Sequence, residues 1–212
     1  MTRIAVLDYG IGNLGSVYKA LVHVGADAEL VTNAAAARGA DGVVLPGVGA
    51  FGACMNALRA TGLDCAALDA VDAGTPLLAV CVGLQLLYEG SEESPGIRGL
   101  GVLPGDLARL PAGVKHPQMQ WNRVVAPAGR TAPSALLDAL GADPWVYFVH
   151  SFAAPMSADV VGVCDYGGEV VAAVERENIW AAQFHPEKSS TAGLALLRAF
   201  ATRCEADLSA AV

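Results

Sequence analysis

Pro76-Leu77-Leu78-Ala79-Val80-Cys81-Val82-Gly83-Leu84-Gln85-Leu86-Leu87-Tyr88-Glu89-Gly90-Ser91-Glu92-Glu93 is the stretch whose reading decides the fold. The unbroken apolar run from Leu77 to Val80 reads as a fully buried strand that ends at Cys81. From Val82 to Glu89 the residues Leu84, Leu87 and Tyr88 fall at helical spacing. A strand, a sharp turn and a helix, with a nucleophile at the turn and small residues two before it (Ala79) and two after it (Gly83), form the pattern of a nucleophile elbow. Strand and helix backbones approach too closely there for larger side chains. The start of the helix then holds the sulfur over free backbone N–H groups, where a thiolate is favoured. By itself, a cysteine closing a core strand is equally a small buried hydrophobe, and the rest of the chain has to decide.

Upstream the alternation repeats. Arg3 to Asp8 reads as a short apolar strand, Tyr9-Gly10-Ile11-Gly12-Asn13 as a glycine-rich turn, and about Leu14 to Val24 as a helix. The Gly-x-Gly turn invites a dinucleotide reading, with the third glycine position at Gly15. No acidic residue closes the next strand, however, because Ala28 to Val31 runs into Thr32 and Asn33. Gly42 to Leu45 reads as a third strand, followed by Pro46-Gly47-Val48-Gly49-Ala50-Phe51-Gly52, whose glycines free backbone N–H groups for a turn or an anion cradle. Helices over about Ala53–Ala60 and Asp64–Asp72 precede the strand of Cys81. Strand and helix thus alternate through the first ninety residues or so, as in a parallel sheet covered on both faces with its ligand at the carboxyl ends of the strands.

Past Gly90 the texture changes. Pro95, Gly96, Gly99, Gly101, Pro104, Gly105, Pro111 and Gly113 break the chain into short pieces. Helical periodicity returns at about Ser134 to Leu140. Extended runs follow at Trp145–Val149, Asp159–Val163, Glu169–Glu175 and Asn178–Phe184, with hairpin turns at Asp165-Tyr166-Gly167-Gly168 and Glu175-Arg176-Glu177-Asn178. A last amphipathic helix spans about Ser190 to Cys204, with Leu194, Leu197 and Phe200 on its apolar face. The residues after Cys204 read as a frayed tail. The fold expected is α/β and flavodoxin-like: a mostly parallel central sheet with helices on both faces, antiparallel strands in the C-terminal half, and residues 1–212 as a single domain.

With 54% hydrophobic and 16% charged residues the chain has ample material for one core, and its net charge of −8 offers no basic surface for nucleic acid or anionic membrane. No leader pattern and no apolar stretch near the ~18 residues of a membrane span is present, so a cytoplasmic protein is expected. Five widely spaced cysteines without C-x-x-C suit reduced thiols, and no zinc pattern or cofactor motif emerges.

A cysteine nucleophile needs a base, usually histidine, oriented by a carboxylate or amide. Of the four histidines, His23 lies on the first helix and His116 has no carboxylate beside it. His150 suits a structural place beside the pocket. His185 follows a strand and is itself followed by Pro186 and Glu187; Pro186 biases it to extended backbone, in which His185 and Glu187 point the same way. Cys81, His185 and a Gly47–Gly49 oxyanion candidate together fill three independent roles.

Those three motifs resemble the class I (triad) glutamine amidotransferases. Asp8-Tyr9-Gly10-Ile11-Gly12-Asn13-Leu14, Ser91-Glu92-Glu93, Met119 with Trp121-Asn122, Tyr147 to Phe152, and Gln183 to Ser189 are similar, more narrowly, to the glutaminase subunits serving imidazole glycerol phosphate synthesis in histidine biosynthesis. The resemblance implies a Cys81–His185–Glu187 triad hydrolysing L-glutamine through a thioester, with backbone N–H groups at Gly47, Val48, Gly49 and Val82 as the oxyanion hole. It also implies glutamine contacts at Gln85, Glu93, Ser151 and Phe152. No cofactor or metal is implied. The ammonia would pass to a (β/α)8-barrel cyclase subunit, with Asn13, Trp121 and Lys188 as interface candidates. Where the family commonly reads His-Met-Gly-Trp-Asn this chain has Gln118-Met119-Gln120-Trp121-Asn122, and replacing that glycine removes a φ > 0 option from the segment. A glutaminase serving another acceptor, such as pyridoxal phosphate or anthranilate synthesis, and a scaffold without turnover are the alternatives.

Overall fold

A computed structural model describes residues 2–210, the last four of them as backbone only. In chain order the elements are β1 (Arg3–Leu7), α1 (Leu14–His23), β2 (Asp27–Val31), α2 (Ala34–Ala37), β3 (Gly42–Gly47), α3 (Phe51–Ala60), α4 (Leu63–Asp72), β4 (Leu77–Cys81) and α5 (Val82–Leu86). There follow β5 (Gly90–Ser91), β6 (Asp106–Arg109), β7 (Gln118–Arg123), α6 (Ala135–Ala139), β8 (Trp145–His150), β9 (Phe152–Ala153), β10 (Val160–Asp165), β11 (Glu169–Arg176), β12 (Ile179–Ala182) and α7 (Ser190–Ala210).

The central sheet has seven strands in the order β10-β11-β12-β4-β3-β1-β2. Its pairings from β12 through β4, β3 and β1 to β2 are parallel, and β10-β11 and β11-β12 are antiparallel hairpins. β3 and β4 are buried along their whole length, which a strand achieves only when helices cover both faces of its sheet. α3 packs with α4 and α5, and α1 with α7. The expected α/β architecture, with antiparallel strands in the C-terminal half, is the one found. The carboxyl ends of β3, β4 and β12 lie side by side, and Gly47 pairs with Cys81 in the ladder.

Four short or polar strands were not legible. β7 pairs residue for residue with β8, from Gln118 opposite His150 to Arg123 opposite Trp145, although its apolar residues, Met119 and Trp121, are exposed and Gln118 is the buried one. Gln120 sits opposite Phe148 in that ladder and needs no positive φ, so the replacement of the usual glycine leaves an ordinary strand. The alanine run Ala34–Ala37 is a helical turn because the Asn33 side chain accepts from the Ala36 N–H. Two expectations need correction. The helix after Cys81 ends at Leu86 rather than Glu89, because the chain must reach β5 beside β6. The last helix continues past Cys204 to Ala210 rather than fraying; residues 211–212 of the expected tail lie outside the described residues. On α7 it is Leu196, Leu197 and Phe200 that are buried, with Leu194 only partly so.

Candidate active site

Cys81 closes β4 with φ 55° and ψ −111°, a left-handed conformation for a residue with a side chain. Such a conformation costs about 1–3 kcal/mol and persists only where its surroundings enforce it. Here they do: a Cβ added at Gly83 would overlap the Leu45 carbonyl oxygen, so β3 and the start of α5 meet backbone to backbone. α5 has only five residues, so the dipole expected to favour a thiolate is that of a single turn or so.

His185 and Glu187 meet differently from the extended geometry expected. Pro186–Lys188 forms a 3-10 turn, and that turn folds Glu187 back so that its Oε1 accepts from His185 Nδ1 at 2.8 Å. The turn is fixed by the Ser189 hydroxyl, which donates to the His185 carbonyl at 2.6 Å, and by the His185 N–H, which donates to the Tyr147 carbonyl at 3.0 Å. Both side chains are almost fully buried, 2% and 1% exposed. Among the described residues His185 Nε2 has no hydrogen-bond partner of ordinary geometry, and it is buried beside Cys81. Burial alone would lower the imidazole; the Cys81 sulfur and the Glu187 carboxylate outweigh it and raise His185 to about 9. Burial likewise works to raise Glu187, but its bonds to His185 and Asn13 hold it below the usual carboxylate range. With Nδ1–H committed to Glu187, Nε2 is the atom free to exchange a proton with the sulfur.

A cavity of about 280 Å³ opens over these groups. It is lined by Cys81 and His185, by Val48, Gly49 and Val82 at the strand ends, by Gln85 and Glu93, and by Ser151 and Phe152 opposite. Gly47 sits just behind the cavity: a Cβ there would come within 2.8 Å of both the Gly83 nitrogen and the Tyr9 hydroxyl. The loop after β3 is tied from below. Tyr9 donates to the Pro46 carbonyl at 2.6 Å and the Cys54 thiol to the Val48 carbonyl at 3.2 Å. Burial raises both Tyr9 and Cys54, which keeps them as neutral donors.

Gln85 and Glu93 already hold the walls together. Gln85 Nε2 donates to the Phe152 carbonyl and to Gln183 Oε1, and Glu93 Oε2 accepts from the Phe51 N–H at 2.7 Å. Their other oxygens carry no protein hydrogen bond among the described residues. His150, also on the cavity wall, is 2.9 Å from the Phe152 carbonyl through Nδ1 and 2.9 Å from Gln118 Oε1 through Nε2. Burial lowers it to about 4, so it is neutral near pH 7, its ring is held between two oxygen acceptors, and it stays a structural side chain. Asn13 lies against the triad rather than free at the surface, donating to Glu187 Oε1 at 3.1 Å. Trp121 is 45% exposed and packs edge-on to Tyr147, over which the exposed Lys188 ammonium also sits.

Sequence reasoning missed Gln183, Tyr9 and Cys54 as parts of the site. Gln183 is fully buried, with Nε2 3.7 Å from Cys81 Sγ. Among the described residues no group of three or more His, Cys, Asp or Glu side chains stands ready for a metal ion, and no helix is long and apolar enough to cross a membrane.

The model of the glutamine amidotransferase class-I family matches residues 5–204. The chain belongs to the class-I glutamine amidotransferase family. Among curated relatives of this amidotransferase, the imidazole glycerol phosphate synthase subunit HisH of Moorella thermoacetica is 45% identical over 202 residues, 94% of each chain. The protein of the same name from Methanothermobacter thermautotrophicus is 46% identical over 198 residues, covering 93% of this chain and 96% of its own. A crystal structure of a glutamine amidotransferase aligns with TM-score 0.74 at 20% identity, over 95% of this chain and 98% of that one. A chain of PurLQS from Thermotoga maritima aligns with TM-score 0.73 at 18% identity, over 95% and 98%. At those identities the structural likeness establishes the fold.

Proposed function

We propose that this amidotransferase hydrolyses L-glutamine and passes the ammonia to a (β/α)8-barrel cyclase partner that makes imidazole glycerol phosphate and aminoimidazole carboxamide ribotide in histidine biosynthesis. The observation that carries the reading is the buried His185 imidazole, bonded to Glu187 through Nδ1 and left with Nε2 unpartnered beside the strained Cys81. Near-full-length identity of 45% to synthase subunits supports the choice of acceptor.

In this reading Cys81 Sγ gives its proton to His185 Nε2 and attacks the side-chain amide carbon of glutamine. The oxyanion that forms takes hydrogen bonds from backbone N–H groups among Gly47, Val48, Gly49 and Val82, each such donor being worth roughly 3 kcal/mol. As the carbon–nitrogen bond breaks, Nε2 delivers its proton to the leaving nitrogen and ammonia departs. Water then gives a proton to Nε2 and adds to the thioester; the carbon–sulfur bond breaks, the sulfur regains the proton, and glutamate leaves. The unused oxygens of Glu93 and Gln85, with the backbone of Ser151 and Phe152, hold the amino acid end of the substrate. A cavity of about 280 Å³ suits a ligand of that size.

The exposed Trp121, Met119 and Trp145, with Lys188 nearby, form the partner-facing side of the molecule, and Asn13 reaches from that side to Glu187. The same reading makes residues 1–212 one domain acting in the cytoplasm. Glutamate release, measured with and without the cyclase, tests it. Wild type should be slow alone and faster with the partner, and Cys81→Ala should release none; a Cys81→Ala variant as fast as wild type would refute the assignment.

A further inference from the structure

Gln183 is a fully buried amide whose nitrogen points at the Cys81 sulfur. It lies between β12 and His185, and its backbone N–H is bonded to the Ala172 carbonyl at 2.9 Å. Its Oε1 accepts from Gln85 Nε2 at 3.0 Å, and Gln85 Nε2 is itself anchored on the Phe152 carbonyl at 3.1 Å. That arrangement fixes which end of the Gln183 amide is oxygen: the acceptor is turned to Gln85 and the NH2 to Cys81, 3.7 Å away. Cys81 Sγ is the sole hydrogen-bond acceptor of that NH2 among the described residues.

A thiol sulfur is a weak acceptor, whereas hydrogen bonds to an ionised acceptor are roughly twice as strong as neutral ones. A buried amide donor at the sulfur therefore favours the sulfur anion over the thiol, without bringing a charge that would compete with the His185 imidazolium. A buried glutamine serving only as packing would leave its NH2 unsatisfied, at a cost that an apolar residue of the same size avoids.

Resting on the reading of Cys81 as nucleophile, we propose that Gln183 is a further catalytic residue, whose side-chain N–H donates to the Cys81 sulfur when it is anionic. It acts twice in a turnover: before attack on the amide carbon, and again when the carbon–sulfur bond of the thioester breaks and the sulfur leaves with the electron pair. Gln85 is then a positioning residue as well as a wall of the cavity, because it sets the orientation of the Gln183 amide.

The test compares wild type, Gln183→Met and Gln183→Glu, each full length and bound to the cyclase. The rate of Cys81 alkylation by iodoacetamide is followed against pH by mass spectrometry, together with kcat and KM for glutamine. Loss of the donor should move the alkylation midpoint upward from that of wild type by about one pH unit in Gln183→Met and further in Gln183→Glu. kcat should fall about tenfold with KM within about twofold. Unchanged profiles in both variants would overturn the proposal. Wild-type activity retained in Cys81→Ala would instead overturn the reading beneath it. Should neither variant fold, the wild-type protein answers: it has four glutamines, and with 15N-labelled glutamine the Gln183 side-chain resonance should shift with the same midpoint as alkylation. A resonance flat across that midpoint overturns the proposal.

Discussion

Asn13 and Glu187 are 174 residues apart in sequence, and the Asn13 amide donates to Glu187 Oε1 at 3.1 Å, the oxygen that also accepts from His185. The loop after the first strand thus reaches the carboxylate that orients the imidazole. Because Asn13 sits at the proposed partner-facing side, a partner that moves this loop also moves a hydrogen bond to Glu187.

A hydrogen bond to a charged group is worth about 1.5–3 kcal/mol. Asn13→Ala should therefore lower kcat for glutamine about tenfold while leaving KM nearly unchanged, which steady-state kinetics with the cyclase bound would measure.

His185 is held at about 9 in the folded protein, against about 6.5 in an unfolded chain. The folded state binds the extra proton in between, so this contribution to stability is full below about pH 6.5 and is lost as pH rises through about 9. Glu187→Gln removes a charge that holds the imidazolium. Denaturant titrations from about pH 6 to 9.5 should then show a flatter decline in the variant than in wild type, and kcat should fall by roughly 10²-fold.

His150 has the opposite sign. Its folded value of about 4 lies below the unfolded ~6.5, so the unfolded chain takes up protons first and stability is lost as pH falls from about 6.5 to 4. His150→Gln should be less acid-sensitive than wild type in that window, as thermal unfolding at a series of pH values would show.

Gly83→Ala should fail at the elbow, because the added Cβ meets the Leu45 carbonyl rather than a side chain that can swing away. Forcing β3 and α5 apart should cost about 3 kcal/mol or more, a fall in Tm of roughly 10 °C by calorimetry.

The sequence carried the parts of the site that depend on local constraint. The buried run to Cys81, the small residue at Gly83 and the His185-Pro186-Glu187 segment each announce themselves within a few residues. The strand β7 did not, because its residues from Met119 onward are mostly exposed, and the partners it meets on β8, His150 opposite Gln118 and Tyr147 opposite Trp121, lie about thirty residues away in sequence. Gln183 was hidden for a different reason: a glutamine closing a strand run looks like an edge residue until its burial is known. Asn13 was named only as an interface candidate, because a contact with a carboxylate 174 residues away is set by the fold and not by local sequence. The geometry joining His185 to Glu187 was inferred from extended backbone, whereas a 3-10 turn makes the contact.

The central claim is that Cys81, and none of the other four cysteines, forms the covalent bond to substrate. The most direct test is to treat the cyclase-bound protein with a glutamine-derived diazo-ketone and locate the adduct by peptide mass spectrometry. The account predicts a single adduct on the peptide carrying Cys81, protected by glutamine and formed much more slowly in a His185→Asn variant; an adduct on another residue, or full hydrolysis of glutamine with Cys81 unlabelled, would contradict it.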